Sequence, residues 1–135
     1  GIERPVVLPA HPRTKARLEA AGLWDRLAEA VQLTAPLGYL DFIRLAESAK
    51  AVLTDSGGVQ KEAYLLDIPC VTMRPNTEWV ETVEAGWNTL VDLELEAARE
   101  AVERPRPSGP KPELYGGGRA AQAVRDVVTA YTERA

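Results

Sequence analysis

What most constrains this chain is the regular alternation, between Val6 and Val91, of short apolar runs with stretches of helical spacing. Val6, Val7 and Leu8 form the first run. A Pro9-Ala10-His11-Pro12 loop then leads to a helix predicted near 14–21, ended by Gly22, and to a short helix over 23–30. Residues 31–34 read as a second strand. A helix over 38–48 follows, with Leu40, Ile43, Leu45 and Ala46 available for burial. Further strands are predicted at 51–54, 70–73 and 88–91, separated by helices from Val59 to Leu66 and over 79–84, the latter stopping at Gly86. A repeated β-loop-α order of this kind implies a parallel sheet covered on both faces by helices. Ligands of such sheets bind at the carboxyl ends of the strands, where the loops at His11, Ala35-Pro36, Ser56–Gly58 and Arg74-Pro75 are expected to emerge.

The junction at 55–63 is the most specific of these units. Asp55-Ser56-Gly57-Gly58-Val59-Gln60-Lys61-Glu62-Ala63 sets a serine and two glycines between a strand and a helix, so Ser56, Gly57 and Gly58 should form the first exposed turn of that helix. Backbone N–H groups in such a turn lack intrahelical partners, and the helix dipole makes them attractive to anions. Each glycine costs roughly 1 kcal/mol relative to alanine in a helix, and close backbone approach by a ligand is one reason to tolerate two. Glu62 follows Gly58 by four residues, on the same helix face and about 6 Å along the axis. A carboxylate there repels phosphate but accepts hydrogen bonds from two neighbouring hydroxyls. A nucleoside diphosphate meets both demands, its pyrophosphate at the glycines and its ribose diol at Glu62. The same residues also suit a tight αβ connection followed by a solvated glutamate, and spacing alone leaves both readings open.

Composition removes several function classes. At 135 residues the chain is expected to be one domain able to bury a real core. Its 45% hydrophobic and 27% charged residues suit a soluble globular protein. No apolar run is long enough to cross a bilayer and no signal peptide is seen, so no membrane partner and a cytoplasmic setting are expected. The net charge of −4, with no basic stripe interleaved with aromatics, argues against nucleic acid as a partner. Arg4, Arg13, Lys15 and Arg17 cluster locally, either as a solvated helix face or as a surface favouring an anion. Cys70 is the only cysteine and His11 the only histidine, which gives no metal-ligand cluster. Cys70 lies in an apolar run that reads as buried strand, so neither catalysis nor metal binding is assigned to it, and no cofactor is expected.

After Asp92 the character changes. Residues 94–104 read as a charged surface helix, 105–112 as a proline-rich extended connector, and Gly116-Gly117-Gly118 as a hinge. No strand precedes these glycines and no Lys-Ser/Thr follows them, so a Walker-type phosphate loop is disfavoured. A last helix over 119–132 carries Ala120, Ala123, Val124, Val127 and Val128 on one face.

Several of these blocks together match a family. Thr54-Asp55-Ser56-Gly57-Gly58-Val59-Gln60-Lys61-Glu62-Ala63, Pro69-Cys70-Val71-Thr72-Met73-Arg74, Thr77-Glu78, and Val83-Glu84-Ala85-Gly86 through Leu90-Val91 closely resemble the C-terminal domain of the non-hydrolysing UDP-N-acetylglucosamine 2-epimerases. Pro9-Ala10-His11-Pro12-Arg13-Thr14 and Pro36-Leu37-Gly38-Tyr39-Leu40-Asp41-Phe42 are also family-like, so the likeness runs through nearly the whole chain. The resemblance implies an α/β fold, a Rossmann-like parallel sheet with helices on both faces, forming the C-terminal half of a GT-B-type two-domain protein. Residues 1–135 would be one UDP-binding domain truncated at its N-terminus, with 105–118 as connector and 119–132 as C-terminal helix. Carried over residue by residue, Ser56, Gly57 and Gly58 would hold the diphosphate, Glu62 the ribose, and the Leu37 backbone with Phe42 the uracil. Phe42 equally suits a core position on its helix. His11 is not the family's catalytic histidine; the resemblance places it near the interdomain cleft, where some bacterial members bind a second, activating nucleotide-sugar.

Where many bacterial members read Thr-Glu-Arg-Pro-Glu, this chain has Thr77-Glu78-Trp79-Val80-Glu81, so Trp79 replaces an arginine that would approach the nucleotide. Arg74 is the candidate for the missing charge, its plainer reading being a strand-end residue paired with an acid such as Glu78. Members with Thr-Glu-Trp include some that act on diacetamido-uronic-acid sugars, which leaves the sugar open. The family's catalytic histidine, in an upstream Thr-x-His-Arg-x-Glu-Asn motif, and its N-terminal-domain carboxylates have no counterpart here. No catalytic residue is therefore assigned, and the segment alone is expected to be inactive, binding UDP or a UDP-N-acetylated sugar and partnered by a missing N-terminal Rossmann-like domain. The family's preceding strand would lie upstream of Gly1, so an exposed sheet edge and homo-oligomers are expected. A UDP-dependent GT-B glycosyltransferase and a non-catalytic nucleotide-binding or interaction module remain as alternatives.

Overall fold

The computed structural model describes residues 4–133; Gly1, Ile2 and Glu3, at which the expected truncation falls, lie outside the described residues. Five strands, each three residues long, carry the fold: β1 (Val7–Pro9), β2 (Gln32–Thr34), β3 (Val52–Thr54), β4 (Cys70–Thr72) and β5 (Asn88–Leu90). Between and after them run α1 (Pro12–Ala20), α2 (Trp24–Ala30), α3 (Tyr39–Glu47), α4 (Gly57–Leu65), α5 (Val80–Glu84), α6 (Leu95–Glu103) and α7 (Ala120–Thr132). The boundaries follow local chemistry. His11 caps α1 through Nδ1, which accepts from the Arg13 amide at 3.2 Å, with Pro12 in the first turn. Gly86 closes α5 at φ +76°, in the left-handed region that a side chain disfavours.

Every strand pair is parallel, but the strands do not form the single sheet that the β-loop-α order predicts. Among the described residues β1 pairs only with β2, with Leu8 opposite Leu33, whereas β3, β4 and β5 form a separate sheet with Leu53 opposite Val71 and Val71 opposite Thr89. A cavity of about 1070 Å³ separates β1 from β3, bordered by Val7, Leu8, Leu45, Val52 and Leu53. In a parallel ladder alternate residues direct their peptide groups to opposite sides. The Ala10 amide donates to Thr34 and the Val6 carbonyl accepts from Gln32, so the peptide groups of Val7 and Pro9 face away from β2. The Val52 amide donates to Pro69 and the Thr54 carbonyl accepts from Met73, which turns Leu53 away from β4. Two strand edges thus border one cavity without meeting across it.

Burial is concentrated in the second sheet. Cys70 joins Ile68, Ala46 and Ala63 on the face covered by α3 and α4, while Val71 joins Val91, Ala101 and Val102 on the face covered by α6. Helices therefore cover both faces of β3–β5, as the α/β pattern requires. Burial of Cys70 pushes its thiol up to about 11, which suits an inert core position. From residue 4 to residue 47 only Ala10 and Ala46 are buried, and α1 and α2 bury none of their residues. Leu40, expected to be available for burial, is 69% exposed. The connector is not free: the Tyr64 hydroxyl donates to the Pro112 carbonyl at 2.5 Å, and Lys111 Nζ donates to the Tyr64 carbonyl at 2.7 Å. The apolar face predicted on α7 exists but packs on nothing within the described residues, with Val127 69% exposed.

Candidate functional site

The β3–α4 junction leaves the head of α4 open. β3 ends at Thr54, whose buried Oγ1 accepts from the Ser56 amide at 3.0 Å and fixes the turn. Ser56 is the N-cap of α4 in extended conformation, and its hydroxyl makes no capping bond. The first intrahelical bond runs from the Gln60 amide to the Ser56 carbonyl, which leaves the amides of the preceding turn directed out of the helix.

Neither glycine at this turn answers to backbone conformation, because neither has a positive φ. A side chain at Gly58 would meet only Ser56 Oγ at 3.9 Å, in open space. At Gly57 it would collide with the Glu78 side chain, whose carboxyl oxygen rests against the glycine. Packing therefore accounts for Gly57, which makes room for Glu78, but not for Gly58, although each glycine costs roughly 1 kcal/mol in a helix. An open backbone surface at a helix N-terminus is the geometry a phosphate group requires.

A buried polar network holds the opposite wall. Asn88, 3% exposed on β5, donates to Gln60 Oε1 at 3.1 Å and to Thr82 Oγ1 at 3.2 Å, and accepts from Thr72 at 2.7 Å. Gln60 Oε1 also accepts from Thr77 at 2.6 Å, and Thr77 Oγ1 in turn accepts from the Trp79 amide at 3.0 Å. The Thr77–Trp79 segment is thereby tied to α4, which brings Glu78 and Trp79 to its head. Arg74 pairs with Glu78 at 3.1 Å, as its plainer reading expected. Trp79 Nε1 lies 3.4 Å from where a side chain on Gly57 would begin, buried and without an acceptor. Lys61 Nζ stands 4.9 Å from the centre of the Trp79 ring and 4.6 Å from that of Tyr115.

His11, Leu37 and Phe42 line the cavity beside β1 and β3 together with Thr54, Asp55 and Val59, so their wall continues into the α4 junction. Ser56, Gly57, Gly58, Glu62 and Arg74 do not line it. Glu62 is half-buried on α4, and Arg74 lies on the Glu78 side. Sequence reasoning missed Gln60, Thr77, Thr82 and Asn88. A run of amide and hydroxyl side chains gives no sign of mutual contact until β4, β5 and α4 are packed.

The pattern of the UDP-N-acetylglucosamine 2-epimerase family matches residues 2–129. This chain belongs to the UDP-N-acetylglucosamine 2-epimerase family. A UDP-N-acetylglucosamine 2-epimerase homolog of Methanococcus maripaludis is 49% identical over 105 residues, covering 76% of this chain and 29% of the relative. The UDP-2,3-diacetamido-2,3-dideoxy-D-glucuronate 2-epimerase of Pseudomonas aeruginosa is 47% identical over 127 residues, covering 90% of this chain and 34% of the relative. Among solved structures, the UDP-GlcNAc 2-epimerase of Methanocaldococcus jannaschii in complex with UDP-GlcNAc and UDP superposes with a TM-score of 0.75 at 38% identity, covering 91% of this chain and 36% of that one. The α/β fold is accordingly that of part of a GT-B epimerase, and the chain spans about a third of the length of these relatives.

Proposed function

We propose that this family member is the UDP-binding half of a non-hydrolysing UDP-N-acetylglucosamine 2-epimerase, inactive without the rest of the enzyme. The observation that carries the reading is the head of α4, where two glycines leave backbone amides open although neither has a positive φ, and where the space beside Gly58 is open. Ser56, Gly57 and Gly58 hold the diphosphate and Glu62 the ribose hydroxyls. The Leu37 backbone and Phe42 take the uracil, Arg74 supplies charge, and His11 lies toward a second nucleotide-sugar. The continuity of the His11, Leu37 and Phe42 wall with Thr54 and Asp55 supports placing the base beside the α4 head. UDP and UDP-GlcNAc, named in the solved complex, are the ligands we carry over.

In the reaction the sugar loses its C2 proton and UDP leaves to give a glycal, after which UDP adds back with protonation from the opposite face. The part of this chain is to hold the leaving group. Negative charge grows on the diphosphate as the C1–O bond breaks, and fixed amide dipoles at a helix N-terminus stabilise it without reorganising. The proton transfers belong to a separate, N-terminal Rossmann-like domain. Two surfaces are open to further chain: the edges of β1 and β3 left unpaired among the described residues, and the exposed apolar face of α7. The same surfaces support self-association of the isolated chain. No helix among the described residues is long and apolar enough to cross a membrane, which accords with a cytoplasmic enzyme.

The test is a UDP titration followed by two-dimensional NMR. Saturable shifts at Ser56–Gly58 are expected, with Glu62→Ala weakening binding about tenfold through loss of hydrogen bonds to a charged acceptor. A folded wild-type chain that gives no saturable shift with UDP would overturn the reading.

A further inference from the structure

We infer that the Glu78 carboxylate lies across the anion seat at the head of α4 and that a nucleoside diphosphate binds by displacing it. The inference rests on the reading of the α4 head as a phosphate seat. Glu78 Oε1 lies where the first side-chain atom of residue 57 would be, directly over the exposed turn of α4. Its other oxygen pairs with Arg74 at 3.1 Å. The backbone that carries Glu78 is not a loose loop. Residues on both sides of Glu78 are pinned: Thr77 to Gln60 at 2.6 Å, and Trp79 through its carbonyl, which accepts from Thr82 Oγ1 at 2.7 Å.

Glu78 does for this helix what a bound anion would do. It places negative charge at the positive end of the dipole, where Ser56 provides no side-chain cap. It also keeps Arg74 neutralised at the rim. Trp79 Nε1 reaches the same place, buried and with no acceptor. A buried indole N–H without a partner is costly, and the oxygen of an arriving phosphate would satisfy it.

A carboxylate and a diphosphate cannot share the seat, because like charges a few ångströms apart repel. The Glu78 side chain is half-exposed, at 50%, and is free to rotate into solvent. Its departure releases Arg74 and uncovers the indole N–H together, so one exchange of anions rearranges two donors toward the ligand. Tolerance of Trp79 in place of an arginine follows: the cation comes from Arg74 and the indole contributes a neutral donor. The exchange also lowers affinity for UDP, since an internal anion must first be expelled, and so favours release of product.

The test is a titration of the whole chain with UDP, and separately with inorganic pyrophosphate, by calorimetry and two-dimensional NMR in wild type, Glu78→Gln and Glu78→Ala. Both variants should bind UDP and pyrophosphate about fivefold more tightly, the scale of one like-charge contact screened as in bulk water. In wild type, saturating UDP should shift the Trp79 indole N–H and Arg74 side-chain resonances. Glu78→Ala guards against a new hydrogen bond made by glutamine, and the amide spectrum of each variant without ligand verifies its fold. If wild type binds but both variants bind equally or more weakly, or if the indole resonance does not move, displacement is overturned while the UDP site stands. If none of the three proteins binds, the reading of the site falls and this inference falls with it.

Discussion

The β1–β2 half and the β3–β5 half are written in the same β-loop-α pattern, yet only the second becomes a closed core. β4 has a neighbour on each side and a helix layer on each face, so every residue of the strand is buried. β1 has one neighbour, and its sheet offers helices α1 and α2 that bury nothing. Periodicity specifies which residues of an element are apolar. It does not supply the second surface against which they must be buried. The proposed nucleotide site lies where the halves adjoin: the phosphate turn hangs from the closed sheet, whereas the proposed base pocket borrows a wall from the open one.

Core truncations give the largest expected contrast. Ile68 is 0% exposed and packs with Ala46, Ala63 and Cys70, so Ile68→Ala should cost about 2–5 kcal/mol in chemical denaturation. Leu33, central in β2, is only half-buried, and Leu33→Ala should cost below about 1.5 kcal/mol. Equal losses at the two positions would break the comparison, since they would require β1–β2 to be buried in solution against a surface such as a second copy.

The polar network gives a smaller effect confined to the closed half. Asn88→Ala removes bonds to Thr72, Gln60 and Thr82 and leaves buried partners unsatisfied, at a cost of about 1–3 kcal/mol. Because Gln60 also holds Thr77, the variant should broaden the Trp79 indole resonance while leaving the amides of α1 and α2 unmoved. Perturbation spreading into α1 would mean that the two halves are coupled more tightly than their separate sheets indicate.

Most elements were legible in the sequence because each carries its own boundary chemistry: Gly22 following α1, Gly86 closing α5, and the serine and two glycines opening α4; the start of α1 at Pro12, read as loop, was not. The split into two sheets was not legible, because pairing depends on what lies between β1 and β3 and not on either strand's composition. The glycine turn was readable as a possible anion seat, and the Arg74–Glu78 pair was anticipated from spacing. That Glu78 would lie across Gly57 was not, because its segment is held through Thr77 by Gln60, which is distant in sequence. The grip of the connector on α4 escaped for the same reason. Pro112 and Lys111 acquire meaning only beside Tyr64, whose ring stands edge-on to both Trp87 and Tyr115.

That grip yields the smallest expected effect, read out by alkali. The pKa of Tyr115 is pushed up to about 12, first by burial, then by the hydrogen bond its hydroxyl donates to Glu81 and by the negative charge there. A phenol whose folded pKa exceeds its unfolded value near 10 adds stability that is complete below pH 10 and is lost as pH rises toward 12. Tyr64 is shifted in the same direction, first by burial and then by Asp67. The wild-type chain should therefore lose stability between pH 10 and 12, and Tyr115→Phe, which cannot ionise, should show a shallower loss over the same interval. Both measurements belong to the closed half. An alkaline transition that disordered β1–β2 first and spared the connector would reverse the ranking of the two regions, whereas release of the connector with β4 still protected would show that the proline-rich segment is an independent clasp on an intact core.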